Sequence, residues 1–270
     1  MSLRKRLAKV AGIAAFAAAF ALSACSEAPG DEGAPAGDGA QGADADLDPI
    51  PVMGEEVHIL AFGDSLFAGY GLDDAAGDSY PAKLEAALRA RGINARIVNA
   101  GVSGDTSAAG RQRLEFTLDA QDEAPDLFIL ELGGNDMLRG LEPEKVRENF
   151  TAMLDELKAR GIPVLIMGMR APPNYGPEYQ QAFDALYGEL AREYDAALIP
   201  FWLEAIYQEP QLFQDDRIHP TVEGIEELVA TTADDVAAAI PEDDSGASEN
   251  GSENGSESGG EQQVEAAEAG

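Results

Sequence analysis

Five short apolar runs, each set off from the next by a longer amphipathic stretch, constrain this 270-residue chain more than any other feature. Residues 57–62, 95–99, 127–132, 163–167 and 197–200 read as buried strands, and 81–91, 107–120, 143–160, 177–194 and 222–239 as helices. The helix at 81–91 has Pro81 in its first turn, Leu84 and Leu88 on one face and Gly92 at its end. The helix at 143–160 turns Val146, Phe150, Met153, Leu154 and Leu157 inward. Strands separated by crossover helices imply an α/β domain with a parallel sheet covered on both faces. Ligands bind such sheets at the carboxyl ends of the strands. The conspicuous polar residues all follow strands: Gly63-Asp64-Ser65, the stretch 99–106, and Gly133-Gly134-Asn135-Asp136. Three loops are therefore expected to meet at one rim.

The ends differ in kind from this middle. Residues 25–54 are rich in Gly, Ala, Pro and Asp, and residues 241–270 in Ser, Gly, Asn, Gln and Glu. Neither stretch holds enough large apolar side chains to offset the entropy of ordering it, so both are expected to be disordered around a domain at 55–240. Removing the seven acids of 26–54, the nine of 241–270 and the four bases of 1–9 from the net charge of −32 leaves the domain itself at −20. Such a surface repels nucleic acid and other polyanions, and no basic stripe offsets it.

At the other end, Arg4, Lys5, Arg6 and Lys9 precede an apolar run over 10–22, a secretory pattern too short to span a bilayer. Leu22-Ser23-Ala24-Cys25 resembles the lipobox of bacterial lipoproteins. That resemblance makes 1–24 a signal peptide and Cys25, the chain's single cysteine, the lipidated first mature residue. It implies an exported lipoprotein on the periplasmic side of a bacterial membrane. Ser26 does not look like an inner-membrane retention signal, which points to the outer membrane. A flexible linker over 25–54 would place the domain roughly 30 Å from the lipid.

A serine hydroxyl becomes a useful nucleophile only when a base takes its proton, and the chain has two histidines. His58 lies on the first strand, seven residues before Ser65, which at about 3.3 Å per residue is roughly 23 Å away, so a structural role is expected for it. His219 stands in Asp215-Asp216-Arg217-Ile218-His219-Pro220, where Asp216 is near enough to orient the imidazole and Pro220 restricts His219 to extended conformations. Ser65 and Ser103 are both candidate nucleophiles, and neither fits the G-x-S-x-G elbow. Asn135 and the backbone N–H groups of Ser65 and Gly104 are candidate oxyanion donors.

Gly63-Asp64-Ser65-Leu66, then Gly104 within residues 99–106, then Asn135 in Leu132-Gly133-Gly134-Asn135-Asp136, then Asp216-x-x-His219 resemble, in order, the four blocks of the SGNH or GDSL-type hydrolases. The strings 63–70 and 132–140 look like the periplasmic arylesterase, thioesterase and lysophospholipase branch. The resemblance implies a three-layer α/β/α sandwich of flavodoxin-like type. It implies Ser65 as nucleophile, His219 and Asp216 as its triad partners, and Ser65, Gly104 and Asn135 as the oxyanion hole. No cofactor or metal is implied, and the sequence offers no ligand cluster for one.

The expected substrate is a small-molecule or lipid ester, with thioesters possible by the same chemistry; acyl-CoA fits poorly because it is a cytosolic polyanion. Leu66, Phe67, Met137, Leu138, Leu141 and the loop 172–177 are candidates to line an apolar groove, or else pack in the core or rim. Arg139 is a candidate for a phosphate head group or for a structural ion pair. A carbohydrate or peptidoglycan O-acetyl esterase is the alternative reading, and a non-catalytic binding lipoprotein has no need of the full set of blocks.

Overall fold

The computed structural model describes residues 52–242. The expectations for the signal peptide, Cys25 and almost all of the two tails fall outside that range. Chain order is β1 (Met53–Gly63), α1 (Ser65–Ala68), α2 (Ala75–Asp78), α3 (Tyr80–Ala90), β2 (Ile93–Gly101), α4 (Ser107–Asp119), β3 (Leu127–Leu130), α5 (Gly134–Leu138), α6 (Pro143–Ala159), β4 (Val164–Met167), α7 (Pro177–Tyr194), β5 (Ala197–Ile199) and α8 (Val222–Ala239). Short 3₁₀ turns at Pro173–Tyr175 and Pro210–Leu212 interrupt two of the connections.

The strands form one parallel sheet in the order β2-β1-β3-β4-β5, which is the flavodoxin-like order. β1 is an interior strand, with Ile59 opposite Ile97 of β2 on one side and Leu127 of β3 on the other. Its first residues pair only with β2, and the register shifts between Met53 and Val57. The strand thus begins two residues ahead of the expected domain start at 55, in a part that lacks a second neighbour to hold its register. α3 and α8 pack against each other, and α4, α6 and α7 lie side by side as a second group.

Burial follows the periodicity. Ile59–Phe62 and Leu127–Leu130 have both faces covered and are apolar at every position. On α6 the buried residues include Val146, Phe150, Met153, Leu154 and Leu157, the stripe read from sequence. On α8 the hydroxyl of Thr221 caps the Gly224 N–H, and Ile225, Leu228, Val229, Ala233 and Val236 face the sheet. Under α3, the rings of Phe67, Tyr80 and Trp202 pack with centroids 5.1–5.8 Å apart.

Candidate active site

β1 ends at Gly63, and the chain turns at once into α1, whose first residue is Ser65. Asp64 caps that helix, its Oδ1 accepting the Leu66 N–H at 3.0 Å, so the Ser65 side chain is presented at the carboxyl end of β1. The loop after β2 brings Ser103 and Gly104 to the same rim. Asp105 in that loop pairs with Arg113 of α4 at 2.6 Å, and Arg113 also donates to the Gly63 carbonyl at 2.9 Å. The loop after β2 is thereby tied to the end of β1.

Asn135 comes from α5, which follows β3. Gly133 opens that helix with φ of 104°, and a Cβ there would lie 2.2 Å from the Tyr187 hydroxyl, so only glycine fits. The buried Asp136 accepts both the N–H (2.7 Å) and the hydroxyl (2.6 Å) of Ser107, which locks α5 to the start of α4. The Asn135 amide donates one N–H to Asp64 Oδ2 at 2.9 Å. An amide nitrogen carries two hydrogens, so a second donor remains for the cavity that Asn135 lines.

His219 reaches the rim from the far side of the sheet. Its loop is folded on itself: Phe213 bridges Pro220, the Gln214 N–H donates to the His219 carbonyl at 2.8 Å, and the Thr221 N–H to Leu212 at 2.9 Å. Asp216 Oδ1 accepts the backbone N–H groups of Ile218 (2.9 Å) and His219 (3.1 Å), while Oδ2 lies 2.6 Å from His219 Nδ1. Nε2 lies 2.8 Å from Ser65 Oγ. A carboxylate only accepts, so the ring hydrogen sits on Nδ1 and leaves Nε2 to accept the serine proton. Burial alone would push the Asp216 carboxyl up, but the hydrogen bonds from the His219 ring and from Ile218 and His219 outweigh it and hold the group below the ordinary aspartate value.

These residues open on a cavity of about 550 Å³, within the range of small-molecule sites. Leu66, Met137, Leu138 and Pro172 line it, as the sequence suggested. Phe67 does not: it is 0 % exposed and stacked on Tyr80, because consecutive residues of a helical turn point in different directions and Leu66 takes the outward one. Leu141 is also outside the lining, half exposed, with its carbonyl accepting the Tyr179 hydroxyl at 2.9 Å. Arg139 does not form the structural ion pair considered for it. It donates to the Gly104 carbonyl at 2.8 Å, and among the described residues it has no ion pair.

Of the two candidate serines, Ser103 lines the cavity but is not the one bonded to His219. His58 is buried in β1, its two ring nitrogens without partners among the described residues, and burial together with nearby Arg96 pushes its imidazole down, away from the charged form. The sequence reading missed much of the opposite wall, where Met169, Phe201, Leu203 and Tyr207 follow β4 and β5. It also missed Tyr70, whose ring lies 4.5 Å from the imidazole of His219. The available signal was positional, since all but Tyr70 follow strand carboxyl ends. Among the described residues no group of three or more His, Cys, Asp or Glu side chains gathers as a metal-ligand set.

A flavodoxin-like sheet with Ser, Gly and Asn loops and an Asp-x-x-His loop on its carboxyl rim is the arrangement of the SGNH hydrolases. The chain belongs to the GDSL-like lipase/acylhydrolase family, whose family model matches residues 61–226. It is 43% identical over 164 residues to the esterase TesA of Pseudomonas aeruginosa, covering 61% of this chain and 80% of that one. Over 162 residues it is 41% identical to thioesterase 1/protease 1/lysophospholipase L1 of Escherichia coli, covering 60% and 74%. Among solved structures, AlinE4, an SGNH-hydrolase family esterase, is 62% identical with a TM-score of 0.59, and the match covers 70% of this chain and all of that one.

Proposed function

We propose that the protein is a serine esterase working through an acyl-enzyme, with Ser65 as nucleophile, His219 as base and acid, and Asp216 as the group that orients and stabilises the imidazolium. The observation that carries this reading is the single hydrogen-bonded line from Asp216 through His219 to Ser65, 2.6 Å and then 2.8 Å, opening on a cavity. The family relationship makes the protein a carboxylic ester hydrolase, since the relatives are named esterase, thioesterase and lysophospholipase.

In the first half, Ser65 Oγ attacks the ester carbonyl while Nε2 of His219 takes its proton. The carbonyl oxygen becomes an oxyanion received by the N–H groups of Ser65 and Gly104 and by the free N–H of Asn135. Collapse breaks the bond to the alcohol oxygen, to which His219 returns the proton. In the second half a water gives its proton to His219, attacks the acyl-serine and releases the acid, restoring Ser65. A thioester follows the same course with a thiol leaving.

The lining of Leu66, Met137, Leu138, Met169, Phe201 and Leu203 favours an apolar acyl chain over an acetylated sugar, which needs polar groups around its hydroxyls. Hydrolysis of p-nitrophenyl acetate, butyrate and decanoate and of a lysophospholipid tests this. A kcat/KM that rises from acetate to the longer esters supports the esterase reading, and a sharp optimum at acetate supports the deacetylase alternative.

Attachment through a lipid at Cys25 and a periplasmic, outer-membrane location belong to the same proposal. The supporting observations are Leu22-Ser23-Ala24-Cys25 and the basic, apolar stretch before it. Incorporation of labelled palmitate that disappears in Cys25→Ser tests the attachment.

A further inference from the structure

Directly behind Ser65 two carboxyl groups lie buried against each other. Asp64 is 2 % exposed and Glu131 0 %. Glu131 follows the last residue of β3, and its N–H donates to the Phe62 carbonyl at 2.9 Å. Its Oε2 accepts the Asp64 N–H at 3.1 Å, and its Oε1 has no hydrogen-bond partner among the described residues. Asp64 is better served: Oδ1 accepts from Leu66 at 3.0 Å and Oδ2 from the Asn135 amide at 2.9 Å.

Two neighbouring buried carboxylates cannot both ionise cheaply, and among the described residues no cation is paired with either. Arg113 of α4 is spent on Asp105 and the Gly63 carbonyl. The donors decide which one holds the proton. Asp64 receives two side-chain-directed N–H bonds as an acceptor, whereas Glu131 has an oxygen free to carry a hydrogen. Burial first, and then the charge of Asp64, push the Glu131 carboxyl well above the ordinary glutamate value. Burial pushes the Asp64 carboxyl up as well, opposed by the Leu66 and Asn135 N–H groups and by His219. Of the other groups bearing on the pair, Tyr187 of α7 keeps its hydroxyl on the Leu132 carbonyl at 3.1 Å and Asp136 of α5 is satisfied by Ser107.

We infer that Glu131 is a positioning residue: a neutral carboxylic acid that fixes Asp64, and through Asp64 the Asn135 amide that is to receive the oxyanion. The inference rests on the oxyanion role proposed for Asn135. A carboxyl whose value is raised in the fold keeps its proton at neutral pH and loses it as pH climbs through the raised value. Ionised Glu131 would set a second buried negative charge beside the Asp64 carboxylate, and the anchor of Asn135 would shift.

The test compares wild type with Glu131→Gln, which keeps the shape of the neutral acid, and Glu131→Met, which keeps size alone. Asn135→Ala is measured alongside. The readouts are kcat and KM for p-nitrophenyl butyrate across pH 6–10, with folding checked by thermal melting. Glu131→Gln is expected to keep kcat within about threefold at pH 7 and to lose the alkaline decline of the wild type. Glu131→Met is expected to lower kcat by about 10²-fold with KM little changed, as for removal of one oxyanion donor. A Glu131→Gln kcat as low as that of Glu131→Met overturns the inference, and so does a Glu131→Gln pH profile that matches the wild type. If Asn135→Ala leaves kcat unchanged, it is the oxyanion reading that has failed, and the two failures are thereby told apart.

Discussion

One carboxylate, that of Asp216, grips His219 twice: Oδ2 meets the ring Nδ1 at 2.6 Å, and Oδ1 takes the backbone N–H of the same residue at 3.1 Å. The imidazole is therefore fixed in position by the turn and in tautomer by the carboxylate. An amide at this position keeps the turn but can offer hydrogens to Nδ1, which moves the ring proton to Nε2 and leaves Ser65 without a base. Asp216→Asn is expected to lower kcat by about 10³- to 10⁴-fold, with the folded structure retained by circular dichroism.

The same carboxylate carries an acid-stability signature. Its folded value lies below that of an ordinary aspartate, so the stability it adds is fully present above about pH 4 and is lost as pH falls through the lowered value. Solvent reaches this side chain, so the effect is small. Thermal melting of Asp216→Asn against wild type from pH 6 downward is expected to show the gap between the two curves narrowing only below about pH 4.

Phe67 belongs to the core, between Tyr80 and Trp202 at 5.5 and 5.8 Å. Phe67→Ala is expected to cost about 3–5 kcal/mol of stability, measured by urea unfolding. The ratio of kcat/KM for butyrate and decanoate esters should stay as it is, because the ring does not face the cavity. A change in that ratio at unchanged stability would return Phe67 to the substrate wall.

Arg217 sits between Asp216 and His219 with φ of 59°, in the left-handed region. For a residue with a Cβ that conformation costs about 1–2 kcal/mol, and glycine adopts it freely. Arg217→Gly is expected to raise stability by about 1 kcal/mol, or a melting temperature higher by about 2–4 °C. An unchanged or lower melting temperature would mean that the arginine side chain makes up for the strain.

The sheet, its helices and the serine, asparagine and Asp-x-x-His loops were legible because each rests on a local pattern: apolar runs, periodic stripes, and polar clusters just past strand ends. What was not legible depends on direction. The four-residue helix at Ser65–Ala68 leaves no periodicity to read, so Leu66 and Phe67 looked alike although one lines the cavity and the other is core. Phe201, Leu203 and Tyr207 fall in a run of turns after β5, where neither a 3.6-residue nor a two-residue period applies. Glu131 was hidden inside an apolar run read as strand over 127–132. The strand stops at Leu130, and the acid that follows turns beneath Ser65. A lone acid within such a run was the signal available.

The central claim is that Ser65, activated by His219, is the atom that attacks. Treating the protein with a p-nitrophenyl alkylphosphonate and mapping the adduct by peptide mass spectrometry tests it most directly. The expected result is one stoichiometric adduct on Ser65, absent in Ser65→Ala and formed far more slowly in His219→Ala. An adduct on Ser103, or labelling of Ser65 at an unchanged rate without His219, would contradict it.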